Sequence, residues 1–249
     1  MARWKLCLEY DGAPFVGWQR QGNGVSVQQI LEDAVLRLSG ESVRVYGSGR
    51  TDAGVHALGQ MAHVDLQRSY RSDVIRDALN YHMRPWPVAV LSAELVGDDF
   101  HARLSATERR YLYRIVNRRA PLTIEVGRAW QIIRPLNERA MLEAAQVLIG
   151  RHNFSTFRAS ECQAKSPIKT LDRFDVMRVG DEIRIEVAAR SFLHHQVRNM
   201  VGTLEWVGAG KWTAQNVKLA LEACDRARGG PTAPAEGLYF VGVSYSGRP

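Results

Sequence analysis

Apolar and polar residues alternate from the start of the chain. In RWKLCLEY, Trp4, Leu6, Leu8 and Tyr10 stand against Lys5, Cys7 and Glu9, the two-residue period of a strand. SVQQILEDAVLRLSG then changes period, placing Val27, Ile30, Leu31, Ala34, Val35 and Leu38 on one helical face. Ser26 opens that helix with Gln29 three residues on, and Gly40 closes it. Alternating segments follow at 43 to 48 and 60 to 67. A helix over 73 to 83 turns Val74, Ile75, Ala78, Leu79 and Met83 inward, and a strand lies near 88 to 96. The predicted order is β-α-β-β-α-β.

The second half repeats that order loosely. RRYLYRIVN reads as a strand with Tyr111, Tyr113 and Ile115 on one face, and Asn137 caps a helix carrying Met141, Ala144, Ala145 and Leu148. RFDVMRVGDEIRIEVAAR reads as a hairpin turning at Gly180 and Asp181. Helices at about 194 to 208 and 214 to 227 come next, and GLYFVGVSY supplies a last strand. The expectation is an α+β fold of two split β-α-β, ferredoxin-like halves, residues 1–104 and 105–249, with antiparallel sheets and an active-site cleft between them.

Composition adds four constraints. The 249 residues, 45% of them apolar, suffice for a sizeable core. No apolar run approaches the ~20 residues of a membrane span, and charges interrupt the N-terminus, so a cytoplasmic protein is expected. Cys7, Cys162 and Cys224 are odd in number and far apart, which fits buried free thiols better than disulfides or a zinc cage. The net charge of +7, with no single basic tail behind it, favours a polyanionic partner.

Candidate chemistry concentrates in YGSGRTDAGVHALGQMAHVD. A dinucleotide fingerprint fails there because Asp52 stands where the third glycine is needed, against the pyrophosphate. A P-loop fails because Val55 and His56, not Lys and Ser or Thr, follow Gly49 and Gly54. An aspartic protease needs two D-T/S-G copies, and D-A-G occurs once. A metal site from Asp52, His56 and His63 is the more serious rival, although glycines argue against a helix across Asp52 and Gly54. What remains is one carboxylate on a glycine-flexed loop with Arg50 two residues before it. An Asx-turn at Asp52 explains the spacing equally well.

Elsewhere Tyr111 and Tyr113, and His194, His195 and Arg198 in SFLHHQVRN, offer aromatic and cationic groups suited to a nucleic-acid base. The tyrosines also fit an ordinary sheet core, and Arg198 also fits the edge of an apolar helix face. If Arg198 points inward, it needs an anion. An RNA-binding module without catalysis stays open as an alternative, although the ribonucleoprotein motif of such modules is missing. A metal-dependent nucleic-acid hydrolase is a third reading.

GRTDAGVHA followed by GQMAHVD resembles the signature of tRNA pseudouridine synthase A, the TruA family. The resemblance extends through YDGAPFVGWQRQ, FHARLSATERRYLYRIVN, FRASECQAKSPIKT, SFLHHQVRNMVGTL and EGLYFVGVSY. ALNYHMRPWPVAV departs from the family's Leu-Pro turn. The resemblance implies isomerisation of uridine to pseudouridine at positions 38, 39 and 40 of the tRNA anticodon stem-loop. Asp52 would be the nucleophile, Tyr111 the active-site tyrosine, Arg198 the partner of the aspartate, and Arg50 the residue that displaces the target nucleotide. It also implies a homodimer with tRNA contacting both subunits. No cofactor and no metal are expected, because the reaction exchanges a C–N for a C–C glycosidic bond without net redox change.

Overall fold

The computed structural model describes residues 1–245. Its first elements are β1 (Ala2–Tyr10), α1 (Val27–Ser39), β2 (Tyr46–Gly47), β3 (His56–Leu66), α2 (Ser72–His82) and β4 (Val88–Val96). There follow β5 (Ala106–Val116), β6 (Trp130–Gln131), α3 (Glu138–Gln146), β7 (Gly150–Asn153), β8 (Ile168–Val179) and β9 (Glu182–Ala189). The described elements end with α4 (Gln196–Gly208), α5 (Ala214–Ala223) and β10 (Leu238–Tyr245). The class is α+β. Among the described residues, no helix is long and apolar enough to cross a membrane.

The chain forms two compact units. One holds Met1–Thr107 together with the strand from Tyr239, and the other holds Glu108–Leu238. The expected second half, 105–249, therefore gives up its last strand. β10 pairs with β3 through Tyr239↔His56 and Phe240↔Ala57, and it does so in parallel, which also corrects the expectation of purely antiparallel sheets.

In the first unit the strand order is β4-β1-β3-β10, with β2 also on β3. β1 is antiparallel to β3 and β4, and β2 is antiparallel to β3. It follows that β1 and β2 run parallel with β3 between them, while β3 and β4 run parallel with β1 between them. The alternation of β1 buries Trp4, Leu6, Leu8 and Tyr10. The ends of α1 are those its sequence encodes: Ser26 Oγ accepts from Gln29 N at 3.2 Å, and Gly40 takes the left-handed φ of +75°. Val74 on α2 faces outward, contrary to the periodicity, while Ile75 and Leu79 are buried. The divergent 80–88 stretch packs on the first loop: Trp86 lies 5.6 Å from Phe15, and Asp11 N donates to Pro87 O at 3.1 Å.

In the second unit β5, β9 and β8 stand in the places of the first, third and second strands of a split β-α-β arrangement. Its order is β5-β9-β8-β7, each neighbour antiparallel, with β6 parallel beside β5. The hairpin of β8 and β9 turns at Gly180 and Asp181, as its sequence requires. The free edge of β9 takes β5, and β7 adds outside β8. Asn137 caps α3 by accepting from the amides of Arg139 and Ala140, both at 3.1 Å. α5 stops at Ala223 because Cys224 turns left-handed, φ +51°. Of the three cysteines only Cys162 is buried; Cys7 is half-buried and Cys224 exposed, which corrects the expectation for those two.

Candidate active site

Asp52 sits on the loop between β2 and β3, a loop anchored at several of its residues. Ser48 N donates to Met61 O at 2.7 Å, and Thr51 O accepts from Trp18 N at 3.0 Å. Tyr10 OH and Thr51 Oγ1 are 2.9 Å apart. Val55 N donates to Asp52 O at 3.1 Å, closing a turn whose third residue, Gly54, has φ +77°. That sign of φ disfavours a side chain, which accounts for the glycine. The turn is thus closed main chain to main chain. Ser48 and Thr51 are buried, Asp52 is half-buried and Arg50 is exposed.

The two histidines of the metal rival are engaged elsewhere. His56 is buried; its Nδ1 accepts from Gly12 N at 3.0 Å and lies 3.1 Å from Asp11 Oδ1, and its ring stacks on Tyr239 at 4.8 Å. His63 Nδ1 accepts from Ala102 N at 3.2 Å, with Tyr46 stacked on it and His101 edge-on at 4.6 Å. Burial, then the neighbouring His101 and the charge of Arg3, lower its pKa to about 4. Among the described residues, Asp52 does not form a ligand cluster with His56 and His63.

In the second unit, β5 carries both tyrosines on its buried face. Tyr113 is fully buried; its hydroxyl donates to Pro234 O at 2.8 Å, its ring fills the space a side chain at Gly237 would need, and Trp130 meets it edge-on. Burial pushes that phenol well above its ordinary pKa. It is a core aromatic. Tyr111 keeps 9% of its surface exposed, and Phe192 approaches it edge-on at 5.2 Å.

Arg198, half-buried in the first turn of α4, donates from Nε to Ala233 O at 2.8 Å, and Ala233 N donates back to Arg198 O at 3.1 Å. Both its backbone and its Nε are therefore tied to Ala233. The same turn is tied to the FRASEC stretch: Ala159 N donates to His194 O at 3.0 Å, His194 N to Cys162 Sγ at 3.4 Å, and Asn199 Nδ2 to Phe157 O at 2.9 Å. Motifs distant in sequence thus close into one framework around α4.

Residues 6–105 and 144–246 match the family model described as tRNA pseudouridine synthase. The chain is similar to tRNA pseudouridine synthase A of Beijerinckia indica, 65% identical over 98% of this chain and 94% of that one. It is similar also to that of Paramagnetospirillum magneticum, 65% identical over 99% and 96%, and to that of Afipia carboxidovorans, 62% identical over 98% and 100%. The chain belongs to the tRNA pseudouridine synthase A family.

As a pseudouridine synthase it is an isomerase, and the residues expected for its site divide between the units: Asp52 and Arg50 belong to the first, Tyr111 and Arg198 to the second. Sequence reasoning about this synthase missed the residues that hold the aspartate loop: Tyr10, Trp18 and above all Gln60. A signal was there. Gln60 is an amide with small and apolar immediate neighbours, GQMA, in a strand, a setting that points to a buried hydrogen-bonding task.

Proposed function

We propose that this synthase converts uridine to pseudouridine at positions 38, 39 and 40 of the tRNA anticodon stem-loop, with Asp52 as the catalytic carboxylate. The observation that carries the reading is the state of that residue: a half-buried acid on a loop fixed on both sides by buried hydrogen bonds. Such a loop holds its acid in one place without reorganisation during the reaction, the condition under which a single group can be worth several orders of magnitude in rate.

One carboxylate is enough for this chemistry. The uracil anion spreads its charge over O2 and O4 and leaves without a strong general acid, unlike the sugar leaving groups that call for a second carboxyl in glycosidases. Attack at C1′, attack at C6 and elimination to a glycal all begin from the same ionised Asp52. Once N1 is detached, the uracil turns, C5 bonds to C1′, and the C5 proton passes to solvent.

In this reading Arg198 supplies the positive charge that keeps Asp52 ionised against the desolvation of a closed site. Tyr111, with the exposed remnant of its ring, stacks on the uracil, a contact worth roughly 1–3 kcal/mol by analogy with other base–aromatic pairs, and its hydroxyl assists loss of the C5 proton. The target nucleotide must leave its stack at a cost of a few kcal/mol, and the exposed Arg50 fills the gap. The net charge of +7 favours a substrate read by shape and phosphate position more than by sequence. Three adjacent targets for one site fit that mode. The strand order of the first unit supports a split β-α-β scaffold for the aspartate loop, and the enzyme acts as a cytoplasmic homodimer.

The test uses tRNA carrying tritium at uridine C5, incubated with the enzyme in the presence of chelator. Tritium release from an anticodon stem-loop with uridines at 38 to 40, lost when all three are replaced by cytidine, supports the reading. Release that persists after that replacement contradicts it.

A further inference from the structure

Gln60 lies in β3, eight residues after the catalytic aspartate, and its side chain is completely buried. Its amide oxygen accepts from Ser48 Oγ at 2.6 Å. Its amide nitrogen donates to Gly49 O at 2.9 Å and reaches Tyr10 OH at 3.5 Å. Tyr10 OH in turn pairs with Thr51 Oγ1 at 2.9 Å. One buried amide, directly and through one phenol, therefore fastens Ser48, Gly49 and Thr51. These residues flank Arg50 and lead straight into Asp52.

We infer that Gln60 is a positioning residue for the reaction: its two-ended amide sets the height and direction of the loop that carries Arg50 and Asp52. The inference rests on the function proposed above. Two features separate this role from ordinary core packing. A strand residue of this size needs no polar group to fill its volume, and an apolar side chain would avoid burying an amide altogether. The amide is also used at both ends, accepting from one loop residue and donating to the next, so that it reads the register of the loop and not merely its presence. Burial pushes Tyr10 up to about pKa 12, so its hydroxyl stays protonated and the relay to Thr51 holds across the working pH range.

The experiment compares Gln60→Met, Gln60→Glu and Ser48→Ala with the parent and with Asp52→Asn, measuring kcat and KM for tritium release together with thermal midpoints. Gln60→Met fills the space but neither accepts nor donates, and kcat is expected to fall about 10–100-fold with KM for tRNA and binding nearly unchanged. Ser48→Ala, which removes one of the bonds, lies between. Gln60→Glu places an acceptor against Gly49 O when ionised and a donor there when protonated. Its rate relative to the parent at the same pH is therefore expected to rise as pH falls from 8 to 6, whereas the ratio for Gln60→Met stays flat.

Parent-like kcat in Gln60→Met and Ser48→Ala, with Asp52→Asn inactive, overturns the inference and leaves the proposed function standing. So does a defect confined to KM or to the thermal midpoint. Full activity in Asp52→Asn overturns the proposed function itself. If Gln60→Met does not fold, the kcat of Ser48→Ala and the pH dependence of Gln60→Glu decide the question.

Discussion

Gly17 lies directly against the backbone of Asp52. A Cβ at Gly17 would stand 2.5 Å from Thr51 O and 3.1 Å from the carbonyl carbon of Asp52, and the φ of +109° already disfavours any side chain. The Gly17–Trp18 segment is thus a wall behind the aspartate loop, joined to it by the bond from Trp18 N to Thr51 O. Gly17→Ala is expected to push that wall into the loop, costing roughly 1–3 kcal/mol of stability and lowering kcat about 10–100-fold. Denaturant unfolding and single-turnover tritium release check the two numbers, and unchanged kcat would show that the wall is not needed.

The two tyrosines of β5 should separate cleanly. Tyr113→Phe removes the hydroxyl that serves Pro234 O and is expected to cost about 1–3 kcal/mol of stability while turnover stays within a few-fold. Tyr111→Leu, which removes the ring proposed to stack on uracil, is expected to lose most turnover at little cost to folding. Parallel unfolding and rate measurements on both variants read this contrast.

Arg198→Lys keeps a charge but loses the donation from Nε to Ala233 O and the planar fork it orients. A large drop in kcat is expected, together with an upward shift of the acid limb of the pH–rate profile. On the proposed pairing of Arg198 with Asp52, loss of the fork lets Asp52 protonate more readily, so activity is lost at a higher pH as acid is added. A parent-like profile would make Arg198 peripheral.

His63 gives a pH dependence of stability. Its folded-state pKa is depressed to about 4 from an ordinary 6.5, so the folded form prefers the neutral ring. The contribution is complete above pH 6.5 and is lost as pH falls from there to about 4, because the unfolded chain takes up the proton first. Over that window the parent is expected to lose on the order of 2 kcal/mol more than His63→Gln, measured by denaturant unfolding at several pH values.

What the sequence disclosed follows the range of the interactions involved. The ends of α1 at Ser26 and Gly40, the cap of α3 at Asn137 and the turn at Gly180 and Asp181 are local chemistry, and each is legible in a few residues. β10 is also legible as a strand, but its parallel seat beside β3 is a pairing across most of the chain that no local pattern encodes. The order β5-β9-β8 follows the expected arrangement, while β7 beside β8 is an addition to it. β7, with the sequence GRHN, has no alternation to reveal it. At the site, Asp52, Arg50, Tyr111 and Arg198 came from motifs. Gln60 stood within the quoted stretch, but its task shows only once Tyr10 and Ser48 are brought to it.

The most direct test of the account is the turnover of Asp52→Asn on tRNA labelled with tritium at uridine C5, with tRNA affinity measured alongside. Tritium release and pseudouridine formation are expected to disappear while binding is largely retained, because asparagine keeps the shape of the loop and loses the charge that does the chemistry. Substantial residual pseudouridine formation by Asp52→Asn would contradict it.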